Sequence, residues 1–93
     1  MDTVFSDAPD RSRYELHAGD ELVGFLDYVL REPTIVLVHT EVDPAHGGKG
    51  YGSLLARGAL DDARSRGLRV RPSCPYVAAW IDKHPDYADL VAG

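Results

Sequence analysis

A chain of 93 residues with 44% hydrophobic side chains and a net charge of −5 holds one small core and leaves no room for a second domain. The acidic balance argues against nucleic acid as a partner, and a single cysteine excludes an internal disulfide framework and fits a reducing, cytoplasmic setting. No Cys/His cluster has zinc-site spacing, so no metal is expected, and no stretch has signal-peptide layout or approaches the roughly 20 apolar residues of a membrane span.

After a short N-terminal segment, RYELHA (13–18) and LVGFLDYVL (22–30) read as strands, with a turn at Gly19 and Asp20 between them. Glu32 and Pro33 turn the chain into a third strand, TIVLVHTEV (34–42). That strand is apolar on both faces through Val38, which suits a strand covered on both sides, and then becomes polar at His39, Thr40 and Glu41. From Gly50 to about Arg66 the period is helical. Tyr51, Leu54, Leu55, Ala59 and Ala63 share a face, and Gly67 can stop the helix. LRVRP reads as a short strand, PYVAAWIDKH as a second helix ended by Pro85, and DYADLVAG as a tail in which Tyr87 and Leu90 pack back.

Strand, helix, strand in this order implies parallel pairing through a crossover. The expected fold is therefore α/β (α+β), an antiparallel meander followed by a β-α-β crossover and a C-terminal helix, in one domain spanning 1–93. Both crossover strands finish at the same sheet edge, so the loop after Val42 and the SCPY segment after Arg71 should meet where open sheets usually bind ligands.

That loop, in VDPAHGGKGYGSLL (42–55), places Gly47, Gly48, Gly50 and Gly52 within six residues. Each glycine costs roughly 0.5–1 kcal/mol relative to Ala in ordered chain, so the run needs a compensating reason. Bare N–H groups at a helix entrance favour an anion such as phosphate or pyrophosphate, and Lys49 adds a mobile charge. The alternative is a turn in which glycine only relieves crowding and Lys49 sits in water. Two other phosphate motifs fail. The Walker pattern needs Ser or Thr after Gly-Lys, where Gly50 stands, and the dinucleotide pattern needs glycine at Ser53 and an acid after the next strand, where Arg69 and Arg71 occur.

The stretch Gly47-Gly48-Lys49-Gly50-Tyr51-Gly52, after Val42-Asp43-Pro44, resembles the acetyl-coenzyme A loop of the GNAT superfamily of N-acetyltransferases, [QR]-x-x-G-x-[GA] after a strand ending Val-x-Pro. The segments HTEV, GSLLARGALDDARSRGL, CPYVAAWI and HPDYADLV extend the likeness to the small single-domain branch, over about residues 39–91. One departure is Gly47, where the family usually has Gln or Arg; the substitution removes a side chain and is expected to leave the N–H available. The resemblance implies that pyrophosphate rests on the N–H groups of Gly48 to Gly52. It further implies that pantetheine runs beside His39, Thr40, Glu41 and Val42 like an added strand, that the thioester points towards the second strand of the crossover, and that Cys74 is among the cofactor-binding residues.

The function this implies is acetyl-CoA-dependent transfer of an acetyl group to an unidentified amine, a small molecule or a protein lysine. A non-catalytic acyl-CoA-binding module is the alternative. Cys74, just before Pro75 at a helix start, suits either an activated thiol or a small buried hydrophobe. His39 and Glu41, at alternate positions on one strand face, suit either a general base with its partner or a hydrogen-bonded strand end. Tyr76 suits either protonation of the departing thiolate or packing. The acidic charge slightly favours a cationic acceptor, and an uncovered first strand is compatible with a monomer or a weak homodimer.

Overall fold

A computed structural model describes residues 2–92. Strands β1 (Thr3–Ala8), β2 (Arg13–Ala18), β3 (Glu21–Arg31), β4 (Thr34–Val42) and β5 (Arg69–Pro72) form one sheet in sequence order. The first four pair antiparallel, while β4 and β5 are parallel and joined by helix α1 (Tyr51–Ser65). Helix α2 (Pro75–Asp82) follows, then a 3-10 segment at Pro85–Leu90.

The N-terminal segment, left unassigned by sequence, is the edge strand β1. Only part of it faces the core: Phe5 stacks on Tyr14 with ring centroids 5.2 Å apart, whereas Val4 is exposed. Phe5 also lies over Gly58 of α1, where an added Cβ would stand 2.6 Å from the ring. This close approach docks the strand against the helix.

Both helices cover the same face of the sheet. Tyr14, Leu16, Leu26, Ile35, Leu37 and Val70 are buried there with Leu55, Ala56, Ala59, Leu60 and Ala63 of α1 and Val77 and Ile81 of α2. Two expectations are corrected here. Leu54 is 42% exposed rather than part of the helical stripe, because it lies towards the β1 edge, where it shares an open groove with Thr3 and Phe5. β4 is covered on one face only: Val38 is 43% exposed, because among the described residues no helix crosses the outer face.

A β-bulge interrupts β4. Tyr28 of β3 pairs with Leu37 and Asp27 with His39, so Val38 is an extra residue. An extra residue reverses the alternation of side chains beyond it. Ile35 and Leu37 point inward before the bulge, and Thr40 and Val42 do so after it, which turns His39 and Glu41 outward.

The tail closes the β5 edge. Tyr87 and Leu90 are buried, Val91 bridges to Val70, and the Ala92 N–H donates to the Val70 carbonyl at 2.8 Å. Arg69 fixes this tail by donating to the carbonyls of Asp89 (3.0 Å) and Val91 (2.8 Å).

Candidate functional site

β5 leaves β4 early. Its ladder spans Thr34–Leu37 against Arg69–Pro72, and the last link is the Cys74 N–H donating to the Leu37 carbonyl at 2.9 Å. The chain then turns into α2, whereas β4 runs on to Val42 with β3 as its only strand neighbour among the described residues. Strand backbone has a donor and an acceptor at every non-proline residue, so an edge left bare beside a helix start invites an extended partner.

At the far end of that bare edge lies the glycine loop. Asp43 caps a 3-10 turn at Pro44–His46 by accepting from the Ala45 N–H at 2.9 Å, and the turn closes with the Gly47 N–H on the Pro44 carbonyl at 3.2 Å. The Gly47 N–H is therefore committed within the protein, contrary to the expectation that it is available, and the open run begins one residue later. Among the described residues, the backbone N–H groups of Gly48, Lys49, Gly50, Tyr51, Gly52 and Ser53 have no acceptor; the first helical N–H with a partner is that of Leu54, on the Gly50 carbonyl. Gly48 (φ 81°) and Gly50 (φ 75°) hold the left-handed conformation that points these groups outward, and both face open space.

Gly52 serves a different purpose. A Cβ there would lie 2.9 Å from the Tyr76 hydroxyl oxygen, so the missing side chain lets that phenol lie across the start of α1. Trp80 of α2 donates its indole N–H to Ser53 Oγ at 2.8 Å, tying the two helix starts together. His46 is drawn away from the loop mouth to Glu21, 2.9 Å distant.

Cys74 is the N-cap of α2 and is 3% exposed. Its Sγ lies 3.4 Å from Thr40 Oγ1, across the gap where the two strands part. Burial alone would push this thiol up. The Thr40 hydroxyl and the nearby N–H groups of Val77, Tyr76 and Thr40 outweigh that cost, and the net shift is downward from the ordinary cysteine value. The Tyr76 phenol moves the other way, raised by burial and then by the charge of Cys74, so it holds its proton. Sequence reasoning placed Thr40 only as a stretch of backbone; its hydroxyl contact depends on a residue 34 positions away.

On the outer face, His39 Nε2 stands 3.6 Å from Glu41 Oε2, with Asp27 opposite His39 and Phe25 opposite Glu41 on β3. Cys74 and Tyr76 thus lie at the gap on the helix-covered side, whereas His39 faces outward from β4, one residue past the bulge. The remaining histidines lie elsewhere. His17 reaches Glu15 at 3.7 Å, and His84 stacks on Trp80 with centroids 3.7 Å apart.

Residues 13–90 match the family model for the GCN5-related N-acetyl-transferase. The chain belongs to this family. Protein NATD1 of Xenopus tropicalis is 32% identical over 66 residues, which cover 71% of this chain and 60% of that relative, so the chain spans less than two thirds of its length. A GCN5-like protein from Staphylococcus aureus has the same fold, with a TM-score of 0.73 at 21% identity over 97% of this chain and 88% of its own. The ribosomal-protein-alanine N-acetyltransferase from Brucella melitensis biovar Abortus 2308 superposes with a TM-score of 0.60 at 26% identity, covering 91% of this chain and 65% of its own. The mixed sheet expected from sequence is thus the GCN5-related fold, with the parallel β4–β5 pair at its gap. Among the described residues no helix is long and apolar enough to cross a membrane.

Proposed function

We propose that this chain is an acetyl-CoA-dependent N-acetyltransferase whose catalytic chemistry lies in the gap between β4 and β5. The observation that carries the reading is the run of N–H groups without acceptors from Gly48 to Ser53, at one end of a strand edge left bare by β5. Such a run at the entrance of a helix of 15 residues suits a diphosphate, with Lys49 beside it. The bare edge from Val38 to Val42 suits the amides of a pantetheine arm. Acetyl-CoA, the co-substrate, brings an acyl thioester to the level of the bulge.

In this reading His39 takes the proton of the attacking amine, and Glu41 orients the imidazole. The Cys74 thiolate bonds first to the acyl carbon as the bond to coenzyme A sulfur breaks, and the departing thiolate takes a proton from Tyr76, whose phenol is held protonated; the amine nitrogen then bonds to the acyl carbon as the bond to Cys74 sulfur breaks. The N–H groups and hydroxyl around Cys74 stabilise negative sulfur. This favours Cys74 as a second nucleophile that accepts the acetyl group before the amine does. The departing thiolate then leaves in the first step, and Cys74 thiolate is regenerated in the second.

Mass spectrometry of the protein incubated with acetyl-CoA tests both parts. Native spectra should show the bound co-substrate, and denatured spectra an added acetyl group on Cys74. Cys74→Ala should keep coenzyme A binding by calorimetry and lose acetyl transfer by about 100-fold or more, on the scale of removing an acid–base or nucleophilic group. Unchanged turnover would leave direct transfer, with Cys74 as packing. His39→Gln should lower transfer about 100-fold with binding intact. Coenzyme A binding without product across a broad amine panel would instead indicate a non-catalytic acyl-CoA binder.

A further inference from the structure

The sheet has a second bare edge, on the side away from the gap. β1 is its first strand and, among the described residues, pairs with β2 alone from Thr3 to Ala8. In an antiparallel pair alternate residues turn both backbone groups to the partner, so every second residue of β1 points its N–H and C=O away from β2. Edge strands usually carry a lysine, a proline, a bulge or an uncompensated charge against further pairing. Thr3–Ala8 has none of these. Its register against β2 is unbroken, Pro9 follows only after the strand, and its one charge, Asp7, is committed to the Tyr28 hydroxyl at 2.7 Å and to Arg66 at 3.6 Å.

The helix beside this edge matches it. Leu54, Arg57, Gly58 and Asp61 recur at three- and four-residue spacing along one stripe of α1, and with Thr3 and Phe5 they line the open groove over β1. Leu54 is exposed and Phe5 only half-buried, so the groove is apolar at its centre. Arg57 and Asp61, one turn apart on its rim, are exposed and opposite in charge. Asp61 accepts from the Tyr87 hydroxyl at 2.7 Å with one oxygen only, among the described residues.

We infer that a second copy of this chain occupies this edge, β1 against β1 antiparallel about a two-fold axis normal to the sheet, so that the two sheets join into one. Side chains of one face must meet the same face of the neighbour, and the register centred on Phe5 does this. It sets the Phe5 rings of the two copies side by side in a shared groove, with both Leu54 side chains over them. The same axis runs the two α1 helices antiparallel on one face, which turns Arg57 of each copy towards Asp61 of the other. One surface thereby supplies both halves of its own charge pattern, as a two-fold interface requires. That self-match selects a second copy over an unrelated extended peptide, which would satisfy the backbone and leave Leu54, Arg57 and Asp61 uncovered. A short strand and one helix stripe make a small interface, so the dimer is a weak one. The gap lies at the other side of the sheet, so both copies keep it open, and the inference does not rest on the transfer chemistry.

Sedimentation velocity of the full chain, from micromolar to millimolar protein, tests this. The native chain should pass from 10.2 kDa towards twice that mass. Leu54→Glu, at an exposed position, should raise the dissociation constant about tenfold or more. Arg57→Glu and Asp61→Arg should each dimerise less than the native chain, because like charges then meet twice across the axis. An equimolar mixture of these two variants should dimerise more than either alone, since each unlike pair is restored. A chain that stays monomeric at millimolar concentration, a dimer indifferent to Leu54→Glu, or a mixture no more dimeric than its parts would each overturn the assignment. If circular dichroism shows a charge variant to be unfolded, the native chain decides by itself: NMR amide shifts that grow with concentration at Thr3–Ala8 and over 54–61 support the interface, and no such shifts there overturn it.

Discussion

From Thr34 to Leu37, β4 is paired with β3 on one side and β5 on the other; from Val38 to Val42 it pairs with β3 alone. The first half contributes Ile35 and Leu37 to the core, both fully buried. The second half contributes a bare edge, His39 and Glu41 on the outer face, and Thr40 against Cys74. One inserted residue, Val38, separates them. It reverses which side chains face the helices, and β5 ends its ladder at the same level, so a structural strand becomes a ledge for a ligand within two residues.

The contrast breaks most visibly in its structural half. Leu37→Ala should lower unfolding free energy by about 2–5 kcal/mol, read by urea denaturation, because it opens a cavity in a fully buried layer. Coenzyme A affinity of the folded fraction should change little, since Leu37 lies before the gap. Equal losses of stability and affinity would show that the two halves are not separable.

Gly50→Ala probes the functional end. Gly50 is the left-handed N-cap of α1 with open space around its Cα, so the cost is conformational, about 1–2 kcal/mol for a side chain in that region. Part of this should appear in stability. The loop can relax by shifting its N–H groups, so coenzyme A binding should also weaken, by up to about tenfold if 1.4 kcal/mol is transferred to it. Calorimetry separates this from Leu37→Ala: one variant loses stability and keeps affinity, and the other loses some of each.

How much of this was legible in the sequence follows the same division. The meander, α1 and the parallel crossover could be read because Gly19-Asp20, Glu32-Pro33, Gly67 and Pro85 punctuate apolar periods. β1 could not, since within Thr3–Ala8 the exposed Val4 and inward Phe5 give no clear alternation. The bulge was equally silent, because TIVLVHTEV contains no Gly or Pro to mark it. Without the bulge, His39 and Glu41 would share a face with Ile35 and Leu37. The sequence showed that His39 and Glu41 lie together, and only the register showed which way they point. The Thr40 hydroxyl was illegible for a related reason: the sequence marked Thr40 only as backbone beside a ligand, and its side chain acquires a role from Cys74, which the crossover delivers from the other side of α1.

Thr40 offers the finest test of the division. The Thr40 hydroxyl and the neighbouring N–H groups together hold the Cys74 thiol below its ordinary value against the opposing effect of burial. Thr40→Val keeps the shape and the backbone N–H and removes only the hydroxyl, at a stability cost of about 0.5–1.5 kcal/mol. The thiol should then titrate higher, and the inflection in its alkylation rate by iodoacetamide should move up in pH, whereas Thr40→Ser should restore it. The sign for stability follows. A thiol whose folded pKa lies below its unfolded value of about 8.5 stabilises the fold fully above that value, and the contribution is lost as pH falls through the folded pKa. The stability gap between the native chain and Thr40→Val should therefore widen as pH rises through that interval and narrow below it. A gap independent of pH would mean that the hydroxyl packs against Cys74 without stabilising its thiolate, and the nucleophilic role would lose its main physical support.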